Sequence, residues 1–234
     1  LGENIVKIKI PQKGTKTQAN YQKFKTLKAI KGSFENFENH LFNNPSTIGM
    51  IVGARGSGKS AIGIKILENL KSKTNKNILA IGFKQKDLPS WIKVINNIEE
   101  IKEHSTILID EAGIEFSSRE SMSNPNKLLS KLIFVARHKD LSIIFISQNS
   151  ANLEINIIRQ LDYIILKPSS LLQKDFERKK IKEIYKEIDF TEFQEKGKAY
   201  LYSDQFTGYF SNPLPSFWNT KISKAYKNVK TGNK

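Results

Sequence analysis

Short continuous apolar runs alternate along this chain with stretches in which apolar positions recur every three or four residues, and that alternation predicts most of its elements. Residues 47–52, 77–83, 106–109, 141–147 and 163–166 are runs rich in Ile, Val and Leu, as expected of strands buried on both faces of a parallel sheet. Between them Ala61, Ile62, Ile64, Ile66, Leu67 and Leu70 keep helical spacing. So do Leu128, Leu129, Leu132, Ile133, Val135 and Ala136, introduced by Asn124 as a cap and Pro125 at the first helical position. A short helix is expected before Tyr163, and a charged amphipathic helix over 171–188 with Phe176, Ile181, Ile184 and Tyr185 on its apolar side. The mixed stretch 88–101 has Trp91, Ile92, Ile95, Ile98 and Ile101 at helix-compatible spacing. Residues 198–202 and 206–210 read as a hairpin, with Phe217 and Trp218 anchoring the end.

Near the start, Val6, Ile8 and Ile10 alternate with Lys7 and Lys9 until Pro11, which predicts a short strand at a sheet edge. Phe24, Leu27, Ile30, Phe34, Phe37 and Leu41 then predict one or two amphipathic helices interrupted at Gly32-Ser33. Lys23, Lys25, Lys28 and Lys31 are either simply the solvated face of these helices or a nucleic-acid surface. The class that emerges is α/β: a mainly parallel central sheet flanked by helices, closed by a C-terminal β-hairpin.

One turn in this pattern carries chemistry. Gly53-Ala54-Arg55-Gly56-Ser57-Gly58-Lys59-Ser60, followed by Ala61, links a buried strand to a helix with the spacing of the phosphate-binding loop. Its glycines allow a backbone whose N–H groups converge on phosphates, with the positive end of the helix dipole behind them. Lys59 can reach the β- and γ-phosphates, and the Ser60 hydroxyl can ligate Mg²⁺. Farther on, the run 106–109 carries Asp110 to a strand end, where it can share the Mg²⁺ shell with Ser60. Glu111 beside it is the carboxylate a hydrolase needs to orient or deprotonate an attacking water. Gln148, at the end of the next strand, either senses the γ-phosphate or simply ends the strand in a turn. Arg137 lies just before that strand, at the end of a parallel sheet opposite its own ligand edge. It either serves a neighbouring subunit's phosphates or caps its helix. Arg159, before the strand at 163–166, has similar geometry and is the second choice.

Charge adds a partner. The 234 residues hold 38 Lys and Arg against 23 Asp and Glu, and the net charge of +15 favours a polyanion, nucleic acid first and anionic membrane second. No apolar run approaches the ~20 residues of a membrane span, so a soluble protein without a leader, in peripheral contact with any membrane, is expected. With no cysteine, disulfides and thiol chemistry are excluded. His40, His104 and His138 lack metal-ligand spacing.

With the phosphate loop, Asp110-Glu111, and Ala136-Arg137 leading through an apolar strand to Ser147-Gln148, residues 47–168 resemble the FtsK/HerA superfamily of DNA-pumping ATPases. The small genome-packaging ATPases of membrane-containing viruses look most similar, and Zot-type assembly proteins of filamentous phages are a close variant. The resemblance implies a RecA-like P-loop fold and an ATP- and Mg²⁺-dependent motor. It further implies a homo-oligomeric ring, a hexamer in the first instance, on double-stranded DNA in the host cytoplasm or with the virion, against vertex proteins. It gives Gln148 the sensor role and Arg137 the finger role. His138-Lys139-Asp140, where many relatives have a glycine-containing turn, is the departure. On this reading 1–46 is an extension, 47–219 the ATPase unit and 220–234 a basic tail. A phosphotransferase such as a nucleotide kinase, or a non-motor nucleotide switch, are the alternatives of a different class.

Overall fold

The computed structural model describes residues 17–111, 124–136, 138–169, 176–189, 195 and 197–223. Their strands, β1 (Lys25–Gly32), β2 (Ile48–Val52), β3 (Asn77–Ile81), β4 (Ile92–Val94), β5 (Ser105–Asp110), β6 (Leu141–Ser147), β7 (Tyr163–Leu166), β8 (Lys198–Ser203) and β9 (Phe206–Ser211), form one sheet ordered β1-β9-β8-β7-β2-β6-β5-β3-β4. From β7 to β4 all pairs are parallel, whereas β8, β9 and β1 are added antiparallel.

Alternate residues of each strand point to opposite faces, so the continuous apolar runs serve two cores at once. On one face Met50, Val52, Ile107, Ile109, Ile143 and Phe145 meet α3 (Pro125–Ala136) and α5 (Lys179–Glu187). On the other, Ile51, Leu108, Ile144 and Ile146 meet α2 (Lys59–Lys73), while Phe206 and Phe210 pack on α1 (Phe34–Asn43). The short helices α4 (Ile155–Ile158) and α6 (Thr220–Ser223) complete the α-helices of the described residues.

Three expectations are corrected. Of residues 21–42, only the second half is helical: α1 starts after Ser33, whose side chain accepts from Asn36 N at 3.2 Å. The first half is strand β1, and its three-residue apolar spacing has another cause. Register shifts between Thr26 and Lys28 and between Ala29 and Lys31 each insert one extra residue opposite β9. A strand with a bulge in every repeat therefore shows a period of three. In 88–101 the Ile spacing comes from β4 and a 3₁₀ turn at Ile98–Glu100, not from an α-helix. The helix expected over 171–188 is observed from Lys179 to Glu187, and its Phe176 is exposed. Residues 170–175, the strand expected at 6–10, the loop carrying Arg119, and the tail beyond Ser223 lie outside the described residues.

The phosphate-loop helix α2 is buried on nearly every side, Lys65, Glu68 and Asn69 included. The chain crosses its outer surface twice. Lys65 Nζ lies 2.8 Å from Glu68 Oε2 and donates to Asn20 O at 3.1 Å. Glu68 also accepts from the amides of Asn20 and Ser216, and Asn69 exchanges hydrogen bonds with Gln22 N and O. A charge pair in so dry a place is tolerable because its remaining oxygens and protons are satisfied by those two crossing segments. Trp91, stacked edge-on against Phe217 and bonded to Thr17 O, pins the same segments over β4.

Candidate nucleotide-binding site

The topology gathers the chemistry at one edge. β2, β5 and β6 end together because their parallel registers align Val52 with Ser147 and Asp110 with Ile146. β6 lies between β2 and β5, so its last residue adjoins both the phosphate loop and the Asp110-Glu111 pair.

After Val52 the loop turns on Gly53, with φ +154° and its α-carbon against Lys167, the residue after β7: a Cβ there would lie 2.7 Å from Lys167 Cβ and 2.8 Å from Lys167 O. Ala54 N donates to Pro168 O at 3.0 Å, tying the loop to the chain after β7. Arg55 and Gly56 form the exposed turn. Gly58, at φ +95°, is in the left-handed region that starts α2. Ser57 Oγ is buried with no hydrogen-bond partner among the described residues, an unsatisfied donor suited to an anion in the loop. Lys59 Nζ donates to Gly53 O at 2.7 Å and Ala54 O at 2.9 Å. Burial lowers its pKa to about 8 against the opposing pull of Asp110 and Glu111.

Ser60 Oγ donates to Asp110 Oδ2 at 3.1 Å. A hydroxyl and a carboxylate so close, beside a phosphate-binding loop, are the hard oxygen donors that Mg²⁺ takes alongside phosphate. Glu111 is buried, and Ser147 Oγ and Gln148 N both donate to its Oε2, at 2.6 and 3.3 Å. Of the expected site residues, Lys59, Ser60, Asp110, Glu111 and Gln148 thus share one edge. Arg159 is exposed at the opposite, amino-terminal end of β7, where its amide closes α4. Arg137 lies outside the described residues.

Three neighbours of the site were not legible as such. Ser147 lies in an apolar run and reads as its last strand residue. Glu177 sits in a charged stretch that reads as solvated, yet it is buried beside the Gln148 turn, where Ser150 N donates to its Oε2 at 2.8 Å and Ser150 Oγ donates as well. Burial raises its pKa, and the Glu111 charge adds to the rise. Lys167, fully buried next to Gly53, donates to Lys198 O at 2.6 Å, and desolvation brings its pKa down to about 7. No sequence pattern marks the burial of Glu177 and Lys167, because contact with distant segments of the chain buries them.

This is a P-loop NTPase fold. Its solved structural neighbours include the genome-packaging NTPase B204 of Sulfolobus turreted icosahedral virus 2 in complex with ATP-gammaS, at TM-score 0.50 and 17% identity over 73% of this chain and 99% of that one. The conjugation coupling protein TcpA of pCW3 with ATPgS follows at TM-score 0.49 and 16% identity, over 81% of this chain and 66% of that one. The N-terminal domain of zonular occludens toxin from Neisseria meningitidis matches at TM-score 0.35 and 16% identity, over 52% and 76%. No protein-family model and no curated protein matches the chain. Among the described residues, no helix is long and apolar enough to cross a membrane.

Proposed function

We propose that the chain is an ATP-hydrolysing motor that moves double-stranded DNA, in viral genome packaging, as a homo-oligomeric ring of six. The observation that carries the reading is Glu111, buried and held by Ser147 and Gln148 N beside the Lys59, Ser60 and Asp110 cluster. A carboxylate so fixed can orient a water for attack on a γ-phosphate. The loop amides and Lys59 would hold the β- and γ-phosphates, and Ser60 and Asp110 the Mg²⁺ ion. That ion, when bound, neutralises charge on the phosphate oxygens. Gln148 is the proposed γ-phosphate sensor. The fold shared with a genome-packaging NTPase supports this reading, as does the net charge of +15.

The ring follows from the finger assignment. Arg137, or failing it Arg159, would complete a neighbour's site, since each precedes its strand at the end away from the phosphate loop. Phe134, 77% exposed one turn earlier on α3 beside Ile98 and Val135, supports an interface there. The test is phosphate release measured with and without DNA, alongside the mass of the assembly. DNA-stimulated release by a multimer supports the motor, whereas phosphate transfer to a small acceptor by a monomer would replace it with a phosphotransferase.

A further inference from the structure

β1 is exposed along its whole length, at the end of the sheet, and presents the sequence Lys25-Thr-Leu-Lys28-Ala-Ile-Lys31-Gly32. In a regular strand, lysines three apart would alternate between faces. Here the two bulges compensate. Lys25, Lys28 and Lys31 pair with Ser211, Tyr209 and Thr207, alternate residues of β9 and therefore on one face of the sheet. Thr26, Ala29 and Gly32 pair with Phe210, Gly208 and Phe206, on the face that α1 covers. Gly208 makes the close pairing possible, since a Cβ there would meet Lys28 O at 2.2 Å.

The result is a row of three lysines at every second rung of the ladder, spaced about 7 Å along the strand at ~3.4 Å per residue of β9. Lys198, paired across Ser211 from Lys25, extends the row inward, with Glu195 at 3.4 Å from its Nζ. None of Lys25, Lys28 and Lys31 is in an ion pair among the described residues, whereas Lys23 beside them has Glu35 at 3.8 Å. Like charges held in line on a fully exposed strand repel one another, and a polyanion with regularly spaced charge relieves the repulsion.

We propose that the bulged β1 strand is a docking surface for the phosphate backbone of double-stranded DNA, with Lys25, Lys28 and Lys31 contacting successive phosphates of one strand. The proposal rests on the DNA-motor reading and names the surface that reading lacks. An even spacing suits a polymer of fixed charges. Laterally mobile lipid headgroups require no spacing, and Leu27 and Ile30 are isolated aliphatics without the aromatic neighbours typical of a membrane interface. Phosphate contacts of this kind position the protein without reading sequence.

The experiment compares the wild-type chain with the Lys25→Gln/Lys28→Gln/Lys31→Gln triple variant and with the corresponding triple Lys→Arg variant. Binding to a random-sequence duplex is measured across a salt series, with DNA-independent ATP turnover as the control for folding. Three lost phosphate contacts should reduce the slope of log K against log salt by about 2 to 3 and weaken binding on the order of a hundredfold at 0.1 M salt, with turnover unchanged and the Arg variant near wild type. A Gln variant that binds duplex with the wild-type slope overturns the proposal. Aggregation in that variant without loss of DNA affinity would mean the lysines only guard a free sheet edge. Loss confined to anionic vesicles would assign the face to membrane. Wild-type protein that binds no duplex at low salt removes the DNA-motor reading itself, a result distinct from the others.

Discussion

Ser147 Oγ donates to Glu111 Oε2 at 2.6 Å, joining the last residue of β6 to the residue after β5. Because β6 lies directly between the phosphate-loop strand and β5, this bond sets the direction of the Glu111 carboxylate relative to the loop. Ser147→Ala should lower ATP turnover on the order of tenfold or more, the value of a hydrogen bond to a charged group, and leave nucleotide affinity unchanged. Glu111→Gln should retain affinity and lose turnover. Single-turnover hydrolysis and equilibrium binding separate the two effects; normal turnover by Glu111→Gln would remove Glu111 from the water-activating role, and normal turnover by Ser147→Ala would show that Gln148 N alone holds the carboxylate.

Lys59 makes triphosphate binding pH-dependent. With its pKa lowered to about 8 by burial, it is charged below that pH and neutral above it. Phosphate oxygens favour the ammonium form, so binding above pH 8 takes up a proton. Affinity should fall as pH rises from 8 to 9.5, by up to about tenfold per pH unit. Calorimetry in two buffers of different ionisation enthalpy reads the uptake, and the dependence should vanish in Lys59→Met together with most of the affinity.

The Lys65 and Glu68 pair tests the anchoring of the crossing segments on α2. Lys65→Met alone leaves a dry carboxylate without its cation and should cost about 3–5 kcal/mol. Lys65→Met/Glu68→Leu, which removes both charges, should cost markedly less. Urea unfolding of the three proteins checks this, and equal losses would mean that the charges are not coupled.

Lys167 should make stability rise with pH. Its folded pKa of about 7 lies below the unfolded value near ~10.4, so in between the unfolded chain holds the extra proton. The charging penalty is felt in full below pH 7 and fades as pH rises through the folded pKa. Between pH 7 and 9 the wild-type protein should gain about 2 kcal/mol relative to Lys167→Met, measured by denaturant unfolding at each pH. A constant difference would show that the ammonium is not desolvated.

The finger assignment is tested by mixing. Arg137→Ala should bind ATP normally and hydrolyse it poorly, since such an arginine contributes on the order of 10³-fold in rate. Assemblies mixed with Lys59→Ala should recover some turnover, because some interfaces then join an intact loop to an intact arginine. Normal hydrolysis by Arg137→Ala would shift the role to Arg159.

The central strands, the loop helix and the positions of the residues at their ends were legible in the sequence because each depends on local features. A strand buried on both faces must be apolar throughout, and the phosphate loop needs its glycines, lysine and serine within one turn; Leu141–Ser147 and Tyr163–Leu166 fall where the runs predict them. What local pattern cannot carry is a period altered by a partner strand, or burial imposed by a distant segment. β1 reads as a helix because its bulges stretch a period of two into three, and the extra residues exist only opposite β9. Nothing in the local pattern around Lys65, Glu68, Lys167 and Glu177 marks these charges as interior, and the packing of remote chain over them buries them. The bond from Ser147 to Glu111 spans 36 residues of sequence. It exists because strand order, a property of the whole sheet, sets β6 beside β5.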